Sequence, residues 1–226
     1  TSSLVGSEMC IRDRLRVGTS FISTTYAVKN TPMEPGAKLQ VTATNLWNEK
    51  LAKIEVTDLD KDKVSTFYHN LYRAFLYPQR LYEFDEKGEP VHRDVYEDNV
   101  KPGYLYMNNG FWDTARTVYP LYSLIETEEY SKILEGFLNN YKESGFLPKW
   151  LSPEDSGGMP GNYIDAVIAD AAAKEIRMDL MPEFLEGMLH SAMVQDEKRL
   201  FGRSYCAEYL EYGLSLIHIS EPTRLD

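Results

Sequence analysis

From Ala43 to Tyr212 the chain repeats apolar residues three and four positions apart, and this periodicity restricts it to a mainly α-helical fold. Ala43, Leu46, Trp47, Leu51 and Ile54 share one helix face, and Phe67, Leu71, Ala74 and Phe75 share another in a helix that stops before Pro78. The pattern returns over Phe111 to Ile125, then over Glu128 to Tyr141, where Ile133, Leu134, Phe137 and Leu138 recur at helical spacing. Ile164, Val167, Ile168, Ala171 and Ala172 form the next stripe. Phe184, Leu185, Met188, Leu189, Ala192 and Met193 form another, and Cys206 to Tyr212 adds a last segment. About six or seven helices joined by alternately short and long loops predict stacked antiparallel pairs, arranged as a toroid with the longer loops at one end.

Three stretches depart from that period. Arg16 to Ser23, short, β-branched and aromatic, predicts a strand. Tyr82 to Asn109 carries Gly88, Pro90, Pro102 and Gly103 among charges and tyrosines, which predicts a long loop with a hairpin around Asp85 to Gly88. Lys149 to Asn162 is rich in Ser, Gly and Pro and opens directly into a helix.

The two ends read differently from the middle. Leu214 to Arg224 is the translation of one strand of a transposase-type sequencing-library adapter, and Leu4 to Arg14 is the translation of the complementary strand. One duplex accounts for both. Residues 1–14 and 214–226 are therefore expected to be adapter-derived and non-native, and residues 15–213 to be an interior piece of a longer, metagenomic reading frame. Cys10 and His218 drop out with the ends, leaving Cys206 with no disulfide partner and His69, His92 and His190 as the imidazoles.

A formal charge of −11 and the lack of a basic stripe argue against a nucleic-acid partner. No apolar run approaches the ~18 residues of a membrane span. The chain has 16 Tyr, 9 Phe and 3 Trp, all between residues 15 and 213. Rings with an apolar face and a polar handle suit sugars, and they suit a Tyr-rich helical core equally well.

Two segments interrupt apolar helical text with polar groups. In Gly110 to Pro120, Trp112, Asp113 and Arg116 lie within one turn, with Asp113 and Arg116 on one face. An aromatic platform beside a carboxylate and a guanidinium can stack on a sugar and bind its hydroxyls; the plainer reading is an Asp113–Arg116 ion pair. In Gly145 to Asn162, Glu154 and Asp155 stand in a Gly-rich loop after Trp150. Glycosidases need a carboxylic acid at the scissile oxygen and a second carboxylate across the ring; the plainer reading is a solvated acidic turn. Asp165 and Asp170, about 140° apart around the following helix, read as structural.

Arg16 to Ser23, Phe67 to Pro78, the WDT-x-R segment Trp112 to Arg116, the LP-x-W segment Leu147 to Trp150, Met159 to Gly161 and Val167 to Ala171 stand in the same order as similar motifs of glycoside hydrolase family 92. Members of that family are calcium-dependent exo-acting α-mannosidases that invert configuration. The resemblance implies that residues 15–24 are the last strand of an N-terminal β-sandwich and residues 25–213 the first part of an (α/α)6 catalytic toroid. It also implies that the general acid sits four residues before Met159, at Asp155, where Glu is usual, so that adjacent Glu154 remains an alternative. Trp112, Asp113 and Arg116, with Trp150, match the mannose-binding side. The base and the calcium (Ca2+) site are expected mostly downstream of Gly213, so no metal ligand is assigned within the chain. The implied partner is a mannose-containing glycan, with α-1,2 linkages, met outside a bacterial cell, in its periplasm or at its surface. The fragment alone is expected to be inactive. A carbohydrate-binding relative without turnover and a helical scaffold without a sugar site are the other readings.

Overall fold

The computed structural model describes residues 16–94, 96–152, 159, 161–194, 196, 201–203 and 205–214. The expected acids Glu154 and Asp155 lie outside the described residues, as do both expected adapter segments apart from Leu214.

Helix α1 (Thr24–Lys29) starts on Ser23, whose hydroxyl accepts from the Tyr26 amide. α2 (Gly36–Leu51) follows, and then α3 (Lys61–Ala74), started by Asp60, whose carboxylate accepts from the Asp62 and Lys63 amides. Among the described residues seven short strands follow, the first six of them before the helical text resumes. β1 (Gln79–Arg80) pairs with β5 (Tyr106–Met107). β2 (Tyr82–Phe84), β3 (Pro90–Asp94) and β4 (Asn99–Pro102) form an antiparallel three-stranded sheet. β6 (Asn109–Gly110) pairs with β7 (Trp150–Leu151) across a wide sequence gap. The helical text then reappears as α4 (Phe111–Thr114), α5 (Val118–Ile125), α6 (Thr127–Ser144), α7 (Tyr163–Ala173), α8 (Met181–Met193) and α9 (Cys206–Tyr212). Gly145, at φ 80°, takes the left-handed conformation that ends α6.

α5 packs on α6 and α7 on α8, while α5 also meets α7 and α6 meets α8. These four helices thus pack as two connected pairs, one on the other. The core lies between them: Tyr119, Tyr130, Ile133, Leu134, Phe137, Leu138, Ile164, Val167, Ile168 and Phe184 are all fully buried. On α8 only one edge of the apolar stripe is covered; Phe184 is buried, whereas Leu185, Leu189 and Met193 are each more than half exposed. Among the described residues no helix is long and apolar enough to cross a membrane.

Residues 16–23, expected as a strand, are not one. Their polar groups are satisfied by side chains instead of a neighbouring ladder: Glu83 accepts from the Phe21 amide at 3.0 Å and the Ser20 hydroxyl at 2.6 Å, and Ser20 Oγ accepts from the Ile22 and Ser23 amides. The stretch from Tyr82 to Asn109, expected as a loop, is largely sheet. Its hairpin does fall at Asp85 to Gly88, where Asp85 accepts from the Lys87 and Glu89 amides and Gly88 supplies a φ of 83°.

His92 pins this sheet to α6. Its side chain is fully buried, with Nδ1 2.9 Å from the Gly103 carbonyl and Nε2 2.6 Å from Glu143. A neutral imidazole donates from only one nitrogen, so the imidazolium is the form that satisfies both acceptors. Burial alone would lower the His92 pKa, but the bonds to Glu143 and Gly103, with the charges of Glu143 and Asp94, raise it above the ordinary 6.5. The stabilisation is therefore complete below the unfolded value and is lost as pH rises through the higher folded value. Thermal unfolding followed from about pH 5.5 to about pH 9 should show this loss in the parent chain. His92→Gln should flatten the profile and be less stable at the acidic end by about 3 kcal/mol; an unchanged slope in the variant would remove His92 as its source.

Candidate functional site

The site is built on the two-residue ladder between β6 and β7. Gly110 is paired with Trp150, and Asn109 with Leu151, which is 1% exposed and anchors the second strand in the core. The Trp150 ring occupies the space a Gly110 side chain would need: a β-carbon there would meet ring carbons at 2.1, 2.7 and 2.8 Å. Glycine at 110 is thus what lets the indole lie against the backbone where α4 begins.

From that point α4 turns Phe111 inward, 5.3 Å from the Phe137 ring, and leaves Trp112 and Asp113 outside, Trp112 at 51% exposure. Asn109 holds the turn. Its Oδ1 accepts from the Tyr119 hydroxyl at 2.8 Å and lies 2.9 Å from the Thr114 hydroxyl, and all three side chains are buried. Thr117 donates to the Asp113 carbonyl at 2.7 Å, which closes the bend between α4 and α5. Arg116, in that bend, places its guanidinium carbon 5.8 Å from the Tyr163 ring centroid at the start of α7. Asp113 and Arg116 do not pair with each other.

The structure therefore gathers Trp112, Asp113 and Arg116 beside the strand that carries Trp150. Glu154 and Asp155, between β7 and α7 in sequence, lie outside the described residues. The two acids of α7 part company. Asp170 pairs with Lys174 at 2.7 Å, a structural role. Asp165, in the first turn of α7, has a buried Oδ1 with no hydrogen-bond partner among the described residues, and burial pushes its carboxyl up to about 6. α4 packs on α7, so this acid belongs to the same end of the helical layers. Among the described residues no group of three or more His, Cys, Asp or Glu side chains is placed to hold a metal ion.

A sequence profile described as the glycosyl hydrolase family 92 catalytic domain matches residues 27–220, its last positions overlapping the segment that begins at 214. Among solved structures, the chain is similar to a family GH92 inverting mannosidase from Bacteroides thetaiotaomicron VPI-5482, at 36% identity and a TM-score of 0.81, over 86% of this chain and 27% of that one. It is also similar to a family GH92 alpha-mannosidase from Bacteroides thetaiotaomicron, at 26% identity and a TM-score of 0.73, over 84% of this chain and 25% of the other. With that alpha-mannosidase in complex with mannoimidazole the figures are 25% and 0.70 over the same shares. No curated protein matches the chain. The chain spans about a quarter of the length of these solved relatives.

Gly110→Ala should force the Trp150 ring off the backbone and destabilise the chain by about 1–3 kcal/mol, as overpacking does. Denaturant titration with tryptophan fluorescence reads both effects, and an unshifted emission at wild-type stability would contradict the packing described. Asp165 makes a second prediction with a definite sign. A carboxyl raised to about 6 from 3.8 favours the protonated fold, so stability declines as pH climbs through that interval. Asp165→Asn cannot ionise; it should match the parent near pH 4 and exceed it near pH 8 in the same titration. A variant weaker than the parent at pH 8 would mean that the carboxylate has a partner.

Proposed function

We propose, since the chain belongs to glycoside hydrolase family 92 and its paired helices form part of that family's (α/α)6 catalytic domain, that its parent protein removes terminal α-linked mannose from glycans with inversion. The specific linkage proposed is α-1,2. Support comes from the inverting mannosidase among its relatives and from the relative complexed with mannoimidazole. The observation that carries the reading to particular residues is the β6–β7 ladder, which sets Trp150 beside the segment bearing Trp112, Asp113 and Arg116.

In this proposal the exposed indole of Trp112 takes the apolar face of the mannose ring, Trp150 borders it, and Asp113 and Arg116 bind its hydroxyls as acceptor and donor. Asp155, or adjacent Glu154, protonates the departing glycosidic oxygen. A carboxylate elsewhere in the parent protein takes a proton from the attacking water on the opposite face, so that the configuration inverts. Asp155 is one methylene shorter than the usual Glu, which is why its neighbour stays in contention. The proposed cofactor of the parent protein is calcium; the described residues do not form a site for it, and none of these steps passes through it. The setting proposed is outside the bacterial cytoplasm.

The test uses the protein extended to the length of its solved relatives, with release of mannose from α-1,2-, α-1,3- and α-1,6-mannobiose as the readout. Asp155→Asn should lower kcat on the α-1,2 disaccharide by about 10²–10⁴-fold and far less on an aryl mannoside whose leaving group needs no proton. If Glu154→Gln shows that pattern instead, the acid is Glu154. Mannose binding without release from any disaccharide would favour the carbohydrate-binding relative over the enzyme.

A further inference from the structure

Asn109 is the only asparagine of the chain that is followed by glycine. In such a pair the backbone nitrogen of the second residue can attack the side-chain carbonyl carbon of the first, and glycine alone brings no β-carbon into its path. The nitrogen gives up its proton and forms a C–N bond to Cγ, the side-chain nitrogen leaves as ammonia, and a cyclic imide results. Water then opens the imide at either carbonyl. One product is aspartate; the other is isoaspartate, in which the main chain runs through the former side chain. Solvent water is the only co-reactant.

Two separate contacts call for this labile pair. A β-carbon at 110 would meet the Trp150 ring at 2.1 Å, so only glycine fits after Asn109 with the indole in place. Asn109 supplies the Oδ1 that accepts from the Tyr119 hydroxyl at 2.8 Å and lies 2.9 Å from the Thr114 hydroxyl. The same contacts hold the reaction off. Closing the imide requires Asn109 to leave the extended conformation it has opposite Leu151 and to swing its side chain over the Gly110 nitrogen. That side chain is 3% exposed and fixed at Oδ1. Gly110 is also extended, at φ −96° and ψ 121°, and its carbonyl lies 2.8 Å from the Thr114 hydroxyl. Both reaction partners are thus tied to the first turn of α4. What ties them is small, since the ladder has two residue pairs and Gly110 contributes no side chain to it. An element with so few contacts opens locally while the core stays folded.

We propose that Asn109 and Gly110 form a self-modification site gated by the β6–β7 ladder: when the ladder opens, the Gly110 nitrogen attacks Asn109, and the aspartate or isoaspartate formed keeps the ladder from closing again. Aspartate puts a negative charge where a buried neutral amide sat, which costs more than the amide did. Isoaspartate lengthens the main chain by one methylene, which moves Gly110 out from under the Trp150 ring and breaks a register with only two pairs to lose. The segment bearing Trp112 and Asp113 then loses its fixed start. The proposal stands on the backbone chemistry alone and does not require the parent protein to be a mannosidase.

The test incubates the whole 226-residue chain in mildly alkaline buffer, both native and unfolded in urea. Mass spectrometry of the peptide spanning Asn109 follows the conversion, and isoaspartate-specific methylation tells the two products apart. In urea Asn109 should convert well ahead of Asn48, which precedes Glu49, and Gly110→Ala should abolish that lead; this comparison needs no folded variant. In the native chain the conversion should be slower by about tenfold or more, yet measurable. Tyr119→Phe, or Thr114→Val should the first variant lose its circular dichroism signature, should raise the native rate at least about threefold and leave the rate in urea unchanged. Tryptophan emission should shift to the red as conversion proceeds, because Trp150 loses its seat. Equal native and unfolded rates would overturn the proposal, as would an Asn109 no faster than Asn48 in urea. So would native conversion that is absent even from the loosened variants, or a fully converted chain that keeps the parent's emission.

Discussion

The buried face of α6 is the constraint on which the rest of the molecule depends. Tyr130, Ile133, Leu134, Phe137 and Leu138 lie along it at 2% exposure or less, and burying each such side chain contributes roughly 1.5–3 kcal/mol. Helices on both sides and the three-stranded sheet meet this helix. α5 delivers Tyr119 to Phe137, α7 offers the Val167 carbonyl to the Tyr130 hydroxyl, and the three-stranded sheet is pinned through His92 to Glu143. Gly136 completes the surface: a β-carbon there would come within 2.8 Å of the Tyr106 ring, so β5 can cross α6 only where the side chain is missing.

Tyrosine serves this architecture in a particular way. Its ring fills helical core while its hydroxyl reaches a backbone or side-chain acceptor that packing would otherwise strand. Tyr130 does so for α7, Tyr122 for the carbonyls at the end of α3, Tyr106 for Glu129 and Tyr119 for Asn109. Of the two readings that a Tyr-rich composition allowed, much of it belongs to the core. The link from Tyr119 to Asn109 is where core and candidate site join, because Asn109 is also the residue that fixes the first turn of α4.

The helices were legible because their apolar period survives in the sequence. What was not legible depended on partners far away in sequence. Residues 16–23 have strand composition, yet Glu83 satisfies them with a carboxylate, which composition does not reveal. Phe111 to Ile125 reads as one helix, but the backbone leaves the helical conformation at Thr117 (φ −132°, ψ −79°), which divides it into α4 and α5. Trp112, Asp113 and Arg116 stood out as polar text in an apolar frame. The seat of Trp150 on Gly110 could not, since nothing local to either residue announces a two-residue ladder. Asp165 and Asp170 differ by whether a helix end is covered, which angle around the helix does not decide.

The smallness of the β6–β7 ladder has a consequence for time as well as shape. Its two halves are separated by the whole of α4, α5 and α6, and two residue pairs cannot repay the loop entropy of closing that distance alone. The ladder can close only after those helices have packed and brought its ends together. A chain emerging from the ribosome thus carries the Trp112 segment long before it has anything to hold Gly110 against, and the edge that bears the candidate site should be among the last parts of this protein to form.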